Sequence, residues 1–238
     1  MATKIALFSD VHGNLAALNA FYASSKQLGA TEYWFLGDLF GPGDGAQALW
    51  DKMQVINPTV KIRGNWDDFF LNCQANHDQI AKCEQKIAHR LTSYTKTRQA
   101  IAAWPLHLEK RVNGVYFGLS HNLPTHNYGD SLSVRADNQA LAALFADNRQ
   151  PCDVAIYAHI HHPTMRYVDL HACSNAKKLE KDYNYNQADE RLVLNIGSVG
   201  MPFDRPACHR LENRAEFLLL TIKEDGTLTP DFKRVAYQ

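Results

Sequence analysis

At 238 residues, 45% hydrophobic and 21% charged, the chain has the make-up of an ordinary globular protein, long enough to bury a sizeable core. Its 25 Lys and Arg balance its 25 Asp and Glu, which argues against the basic excess of a protein that binds long nucleic acid. No apolar run approaches the ~18–20 residues that cross a bilayer, and "MATKIALFSD" reaches Asp10 before a signal-peptide core could form, so a cytoplasmic location is expected.

The elements follow in order. "KIALFSD" reads as a buried strand, and "NLAALNAFYASSKQLG" as a helix with Leu15, Leu18, Phe21 and Tyr22 on one face, stopped by Gly29. "TEYWFLGD", the helix "GAQALWDKMQVIN" and the strand "TVKIRGN" complete a β-α-β-α-β order, which implies parallel strands with crossover helices. The stretch from about 66 to 104 is helical, until Pro105 breaks it. Seven strands then follow ("LHLEKRV", "VYFGLSH", "VAIYAH", "TMRYVDL", "RLVLNIGS", "AEFLLLTI" and "FKRVAY"), with one helix over Asn138–Asp147 and a polar loop over Ala172–Glu190. The expected architecture is α/β: two mixed β-sheets packed face to face with helices outside, forming a single domain over residues 1–238. Five cysteines (Cys73, Cys83, Cys152, Cys173 and Cys208), scattered and without a C-x-x-C pair, read as reduced thiols.

The informative residues are those that end the apolar runs. "SDVHGN" supplies Asp10 and His12, "LGDLFG" Asp38, "RGNWDD" Asn65, "VYFGLSHN" His121, and "VAIYAHIHHP" His159 and His161. In extended chain, residues two apart share a side, so Asp10 with His12 and His159 with His161 would each aim into one site. Ligands gather at the carboxyl ends of parallel strands. Seven nitrogen and oxygen donors are too many for one tetrahedral ion and suit two ions sharing a carboxylate. The mixed His/Asp/Asn set fits Mn²⁺ first, with Fe or Zn²⁺ also possible, and lacks the thiolates of a structural zinc.

The ordered set D-x-H, G-D, G-N, S-H and H-x-H, each at a strand end, resembles the calcineurin-like metallophosphoesterase superfamily. "G-D-x-x-G" from Gly37 to Gly41 and "G-S-V-G" from Gly197 to Gly200 are similar to its small bacterial phosphodiesterase-like branch. The resemblance implies a four-layer α/β/β/α sandwich. It also implies that Asp10, His12 and His161 hold one divalent ion, that Asn65, His121 and His159 hold the other, and that Asp38 bridges them. The implied activity is phosphoester hydrolysis by a hydroxide bridging the two ions, on a small phosphorylated, nucleotide-like substrate.

One departure bears on the chemistry. The family's G-N-H-[ED] is "GNWD" here, and the Trp66 indole donates a hydrogen bond but has no useful acidity. General acid help is worth ~10²–10⁴ in rate, and substrates with stable leaving anions need it least. The expectation is therefore a phosphodiesterase or nucleotide polyphosphate hydrolase, with Trp66 able to stack on a base. His126 is a candidate replacement acid and Arg205 a candidate phosphate clamp; Arg63 is expected in a structural ion pair. The alternative left open is a metal-binding interaction scaffold of the same fold with weakened catalysis.

Overall fold

The first strand is β1 (Thr3–Phe8), and its unbroken apolar run reflects burial on both faces. Ala6 and Phe8 pack toward helices, while Ile5 and Leu7 pack toward a second sheet. Parallel pairing joins β1 to β2 (Glu32–Phe35) and β2 to β3 (Val60–Lys61), with α1 (Leu15–Gln27) and α2 (Ala46–Ile56) as crossovers. The Asn14 side chain caps α1 by accepting the Ala17 N–H at 3.0 Å, and Gly29 follows its end with φ +81°. On the far side of β1 lie two antiparallel strands, named below as β9 and β10.

The second sheet contains β4 (His107–Val112), β5 (Val115–Ser120), β6 (Val154–Tyr157), β7 (Thr164–Asp169) and β8 (Glu190–Asn195), in the order β4-β5-β6-β8-β7. Within it β5, β6 and β8 run parallel, and β4 meets β5 in a hairpin. The hairpin turn, Asn113-Gly114, takes φ +49° and +87°, as a two-residue turn on right-twisted strands requires. The last strands, β9 (Arg214–Ile222) and β10 (Leu228–Ala236), complete the first sheet as β10-β9-β1-β2-β3.

The computed structural model describes residues 2–41, 46–72, 87, 89–146, 151–174, 188–202 and 213–238. Within the helical stretch expected over 66–104, the described residues form α3 (Asn65–Asn72) and α4 (Tyr94–Ala102), both packed with α1 and α2 on the first sheet. The helix expected over Asn138–Asp147 is shorter: α5 (Asn138–Ala142) runs into a 3₁₀ turn at Ala143–Phe145. The expected loop after β7 begins instead with a short helix, α6 (Leu170–Ser174), and residues 175–187 lie outside the described ones.

The layers are therefore helices, sheet, sheet, helices, the four-layer arrangement that was expected. Ile5, Leu7, Trp34 and Ile62 of one sheet meet Phe117, Leu119, Ile156 and Leu194 of the other in a continuous core. Trp34 and Phe117 join edge to face at 5.4 Å. Both parallel sets, β1-β2-β3 and β5-β6-β8, point their carboxyl ends to the same end of the sandwich, where the loops that follow hydrogen bond across the seam. Val199 N–H donates to the Ser9 carbonyl at 3.0 Å, and Gly200 N–H to the Asp10 carbonyl at 2.9 Å.

Candidate metal centre

All seven strand-terminal donors converge there. His12 Nε2 and His161 Nε2 lie 3.1 Å apart, and Asp10 Oδ1 is 3.1 Å from the latter and 3.6 Å from the former. A second set forms around Asn65 Oδ1, 3.0 Å from His121 Nε2 and 3.1 Å from His159 Nδ1. Asp38 Oδ2 lies between the sets, 3.8 Å from His12 Nε2 and 3.4 Å from His121 Nε2. Asp10 reaches both sets as well, with Oδ1 3.9 Å from His121 Nε2.

These donors reach the site in a way the sequence does not show. Asp10, His12, Asp38, His159 and His161 all take positive φ, between +46° and +66°, a left-handed conformation that side chains with a Cβ avoid. Strand alternation, the expected reason that i and i+2 share a side, is therefore not the mechanism, because β1 ends at Phe8 and β6 at Tyr157. Two tight left-handed turns bring each pair to the site instead. Strain of this kind costs roughly 1–3 kcal/mol per residue and persists only where its surroundings hold it.

The restraints are visible. Val11 and His12 N–H both donate to the Asp38 carbonyl, at 2.8 and 3.2 Å, and Asp10 N–H donates to the Gly37 carbonyl at 3.0 Å. Ser198 Oγ donates to the Asp10 carbonyl at 2.9 Å, and Asn195 Nδ2 to the Ala158 carbonyl at 2.6 Å. Two glycines are obligatory for space: a Cβ on Gly64 would stand 2.0 Å from Asp38 Oδ1, and one on Gly200 1.8 Å from the Val11 carbonyl oxygen.

Asp67, Asn195 and Ser198 escaped the sequence reading as individual residues. The Asp67 carboxylate is fully buried and accepts the N–H groups of Asp38, Gly64 and Leu39, at 2.9, 2.9 and 3.2 Å. Burial first, then the charge of Asp38, pushes Asp67 up to about 7, against the pull of those three N–H groups. Asn195 did carry a signal, since it closes the apolar run "RLVLN" just as the donors close theirs.

Two of the imidazoles are oriented from behind. The His121 Nδ1–H donates to the Leu36 carbonyl at 2.7 Å, leaving Nε2 for the site. The His159 Nε2–H donates to the Gly129 carbonyl at 2.9 Å, leaving Nδ1. Asn122 holds that loop, its Nδ2 donating to the carbonyls of Tyr128 and Gly129. Backing of this kind fixes the tautomer of metal-ligating histidines.

The donor set fits divalent ions. Ligand atoms ~2.0–2.2 Å from one ion stand about 3–3.5 Å apart, the spacing seen within each set. Asp10 and Asp38 are 0% and 1% exposed, and such buried carboxylates require countercharge. The same requirement appears in His121: burial opposes its protonation, but Asp38 and Asp10 together raise it to about 10. Two groups, Asp10/His12/His161 and Asp10/Asp38/His121, each offer atoms close enough to hold an ion.

The remaining candidates are placed as follows. Trp66, in the first turn of α3, donates its backbone N–H to Asp38 Oδ1 at 2.8 Å, and lines a cavity of about 210 Å³ with His12, Asp38, Asn65, His159, His161 and Met201. His126 does not line that cavity; its Nδ1 is 3.0 Å from Thr125 Oγ1 and its ring packs against Tyr128. Arg63 Nε pairs with Asp68 Oδ1 at 2.8 Å, the expected structural ion pair. Arg205 lies outside the described residues.

A two-sheet sandwich with histidine, aspartate and asparagine donors at its strand ends is the architecture of a metallophosphoesterase. Residues 3–225 match the family model for the calcineurin-like phosphoesterase superfamily domain, and the chain belongs to that superfamily. An uncharacterised protein of Methanocaldococcus jannaschii is 24% identical over 211 residues, 85% of this chain and 78% of that protein. The crystal structure of a metallophosphoesterase from Sphaerobacter thermophilus shares the fold with a TM-score of 0.67 at 20% identity, over 100% of this chain and 90% of that one. A hypothetical protein from Pyrococcus horikoshii does so with a TM-score of 0.73 at 15% identity, over 99% and 89% of the two chains.

Proposed function

We propose that this chain is a dinuclear metal-dependent phosphoesterase that hydrolyses phosphodiester or phosphoanhydride bonds of a small, nucleotide-like substrate. The observation that supports this best is the pair of donor sets, Asp10/His12/His161 and Asn65/His121/His159, with Asp38 between them. In this reading each set holds one ion, Mn²⁺ first by donor chemistry, with Fe or Zn²⁺ alternatives. Two such ions supply a water of lowered pKa and positive charge for the phosphoryl oxygens.

The chain's own residues do the rest. The Leu36 and Gly129 carbonyls hold the protons of His121 and His159 away from the site, so that lone pairs face inward. Asp67 and Ser198 keep the strained Asp38 and Asp10 turns in place. At the cavity wall, Trp66 occupies the place of the family's histidine and presents an indole to the substrate. Apart from the assigned ligands, no described side chain lining the cavity is an acid, so a good leaving group is favoured.

The test is hydrolysis of bis-p-nitrophenyl phosphate with added Mn²⁺, comparing wild type with Asp38→Asn. Turnover in the wild type that falls by about 10²–10³ in the variant is expected, because the residue between the donor sets would no longer hold the ions whose charge stabilises the transition state. No turnover in protein that carries two metals per chain would instead favour the scaffold reading, to which Trp66 lends weight.

A further inference from the structure

We infer that the substrate is an organic phosphodiester with a flat apolar arm, a nucleobase or aryl ring, seated on a rim formed by Trp66, Phe69 and Met201. This rests on the phosphoesterase reading above and narrows it to a monoanionic diester over a highly charged polyphosphate.

The first observation is where large apolar side chains are left in solvent. Met201 is 47% exposed and lines the cavity; Phe69 is 38% exposed and meets Trp66 edge to face at 5.8 Å. Apolar groups gathered around a polar pocket mark a binding surface. The second observation is that both the backbone and the ring of Trp66 have neighbours in the site. Its backbone is tied to Asp38 Oδ1 at 2.8 Å, and its ring also stands at 80° to that of His12, 5.5 Å away. With its backbone anchored to the carboxylate between the donor sets, Trp66 holds its indole at the cavity wall as a platform for a substrate arm.

The third observation is charge. Among the described residues, those lining the cavity include no Lys or Arg. The guanidinium of Arg63 is taken by Asp68 and, at 3.2 Å, by the Ala102 carbonyl. Two divalent ions, less the carboxylates Asp10 and Asp38, leave an excess that one diester anion and one nucleophile neutralise. A tri- or tetra-anion would overshoot it. In the reaction, water adds its oxygen to phosphorus, the P–O bond to one arm breaks, and the displaced proton ends on the released alcohol or phenol, leaving a phosphomonoester.

The experiment keeps the leaving group constant and varies the other arm. Methyl p-nitrophenyl phosphate and phenyl p-nitrophenyl phosphate are compared in the Mn²⁺-loaded protein and in Phe69→Ser and Met201→Ser, with ATP as the polyphosphate. Calorimetry with phenylphosphonate and methylphosphonate gives a readout independent of turnover. A stacked arm is worth ~1–3 kcal/mol, so we expect about a 5-fold or greater preference for the phenyl compounds in both measurements, reduced in each variant. Equal binding of the two phosphonates, or faster turnover of ATP than of the phenyl diester, overturns the inference while leaving a phosphoesterase. Absence of turnover on every substrate overturns the underlying function as well.

Discussion

Asp67 and Asp38 meet through a backbone hydrogen bond: the buried Asp67 carboxylate accepts the Asp38 N–H at 2.9 Å. With the bonds from Gly64 and Leu39, that contact holds a left-handed turn, Asp38 having φ +63°, in the position where its carboxylate faces both donor sets. Asp67→Ala leaves three buried N–H groups without their acceptor. The expected loss is roughly 3 kcal/mol in denaturant unfolding. Metal affinity, read by calorimetry, should fall ~10–100-fold, as for other groups that orient ligands. Unchanged affinity would show that the Asp38 turn stands without Asp67.

Cation binding should be worth measurable stability. Asp10 and Asp38 are buried beside four histidines, so an ion that binds only the folded chain shifts the unfolding equilibrium. At 100 times the dissociation constant the gain is about 2.7 kcal/mol, and it grows with metal concentration. Thermal melts with a chelator and then with increasing Mn²⁺ should show a rising Tm. A flat series contradicts the assignment of these residues as ligands.

Gly64 and Gly200 are where the backbone comes too close for a side chain. Gly64→Ala places a methyl 2.0 Å from Asp38 Oδ1, and Gly200→Ala one 1.8 Å from the Val11 carbonyl. Overpacking costs typically ~1–3 kcal/mol, and here the displaced atoms belong to the donor turns. Both variants should lose metal affinity out of proportion to their loss of Tm. Loss of Tm with wild-type affinity would mark the two glycines as purely structural.

Glu32 should make the acid limb of stability steeper. On β2 it accepts from the Trp34 indole N–H at 2.8 Å and Thr59 Oγ1 at 2.5 Å, and it pairs with Lys110 on β4, so it ties the two sheets together. Its pKa is lowered below the ordinary 4.5: burial opposes this, and Lys110, Thr59 and Trp34 outweigh it. A depressed carboxylate contributes stability above its unfolded value and loses it as pH falls through the folded one. Glu32→Gln should therefore lower Tm at pH 7 and converge with wild type once pH has fallen through the lowered folded pKa of Glu32. Parallel curves across that range would rule the tie out.

Trp66→His tests what the indole replaces. An imidazole at the cavity wall, next to His12, could donate a proton to a departing alkoxide. Rates on alkyl phosphomonoesters should rise by about 10-fold or more, toward the range typical of general acid catalysis, while aryl diesters gain little. An equal change on both substrates would separate position 66 from leaving-group protonation.

Most of the fold was legible in the residues because burial imposes period and length. The runs of β1, β5 and β6 are apolar on both faces, and every predicted strand formed. The crossover helices α1 and α2 formed where "NLAALNAFYASSKQLG" and "GAQALWDKMQVIN" were expected to be helical; Leu18 and Phe21 are buried in the first, and Leu49, Met53 and Ile56 in the second. Boundaries shifted where polar residues end a strand: "VAIYAH" stops at Tyr157, because His159 and His161 turn left-handed instead of extending. The short α6 carried no periodic signal, since five residues make little more than one turn.

The sequence by itself determined which chemical groups are available, because the seven donors stand in order at the ends of apolar runs and one shared role explains them together. Tertiary structure alone decided how they meet. His12 and His161 stand 149 positions apart yet 3.1 Å apart in space, and two mixed sheets whose parallel strands end on the same side of the sandwich are what bring them together. Left-handed turns, the carboxylate of Asp67 and the close approach of Gly200 to Val11 are likewise properties of backbone packed against backbone. Residue order encodes them only through the whole fold.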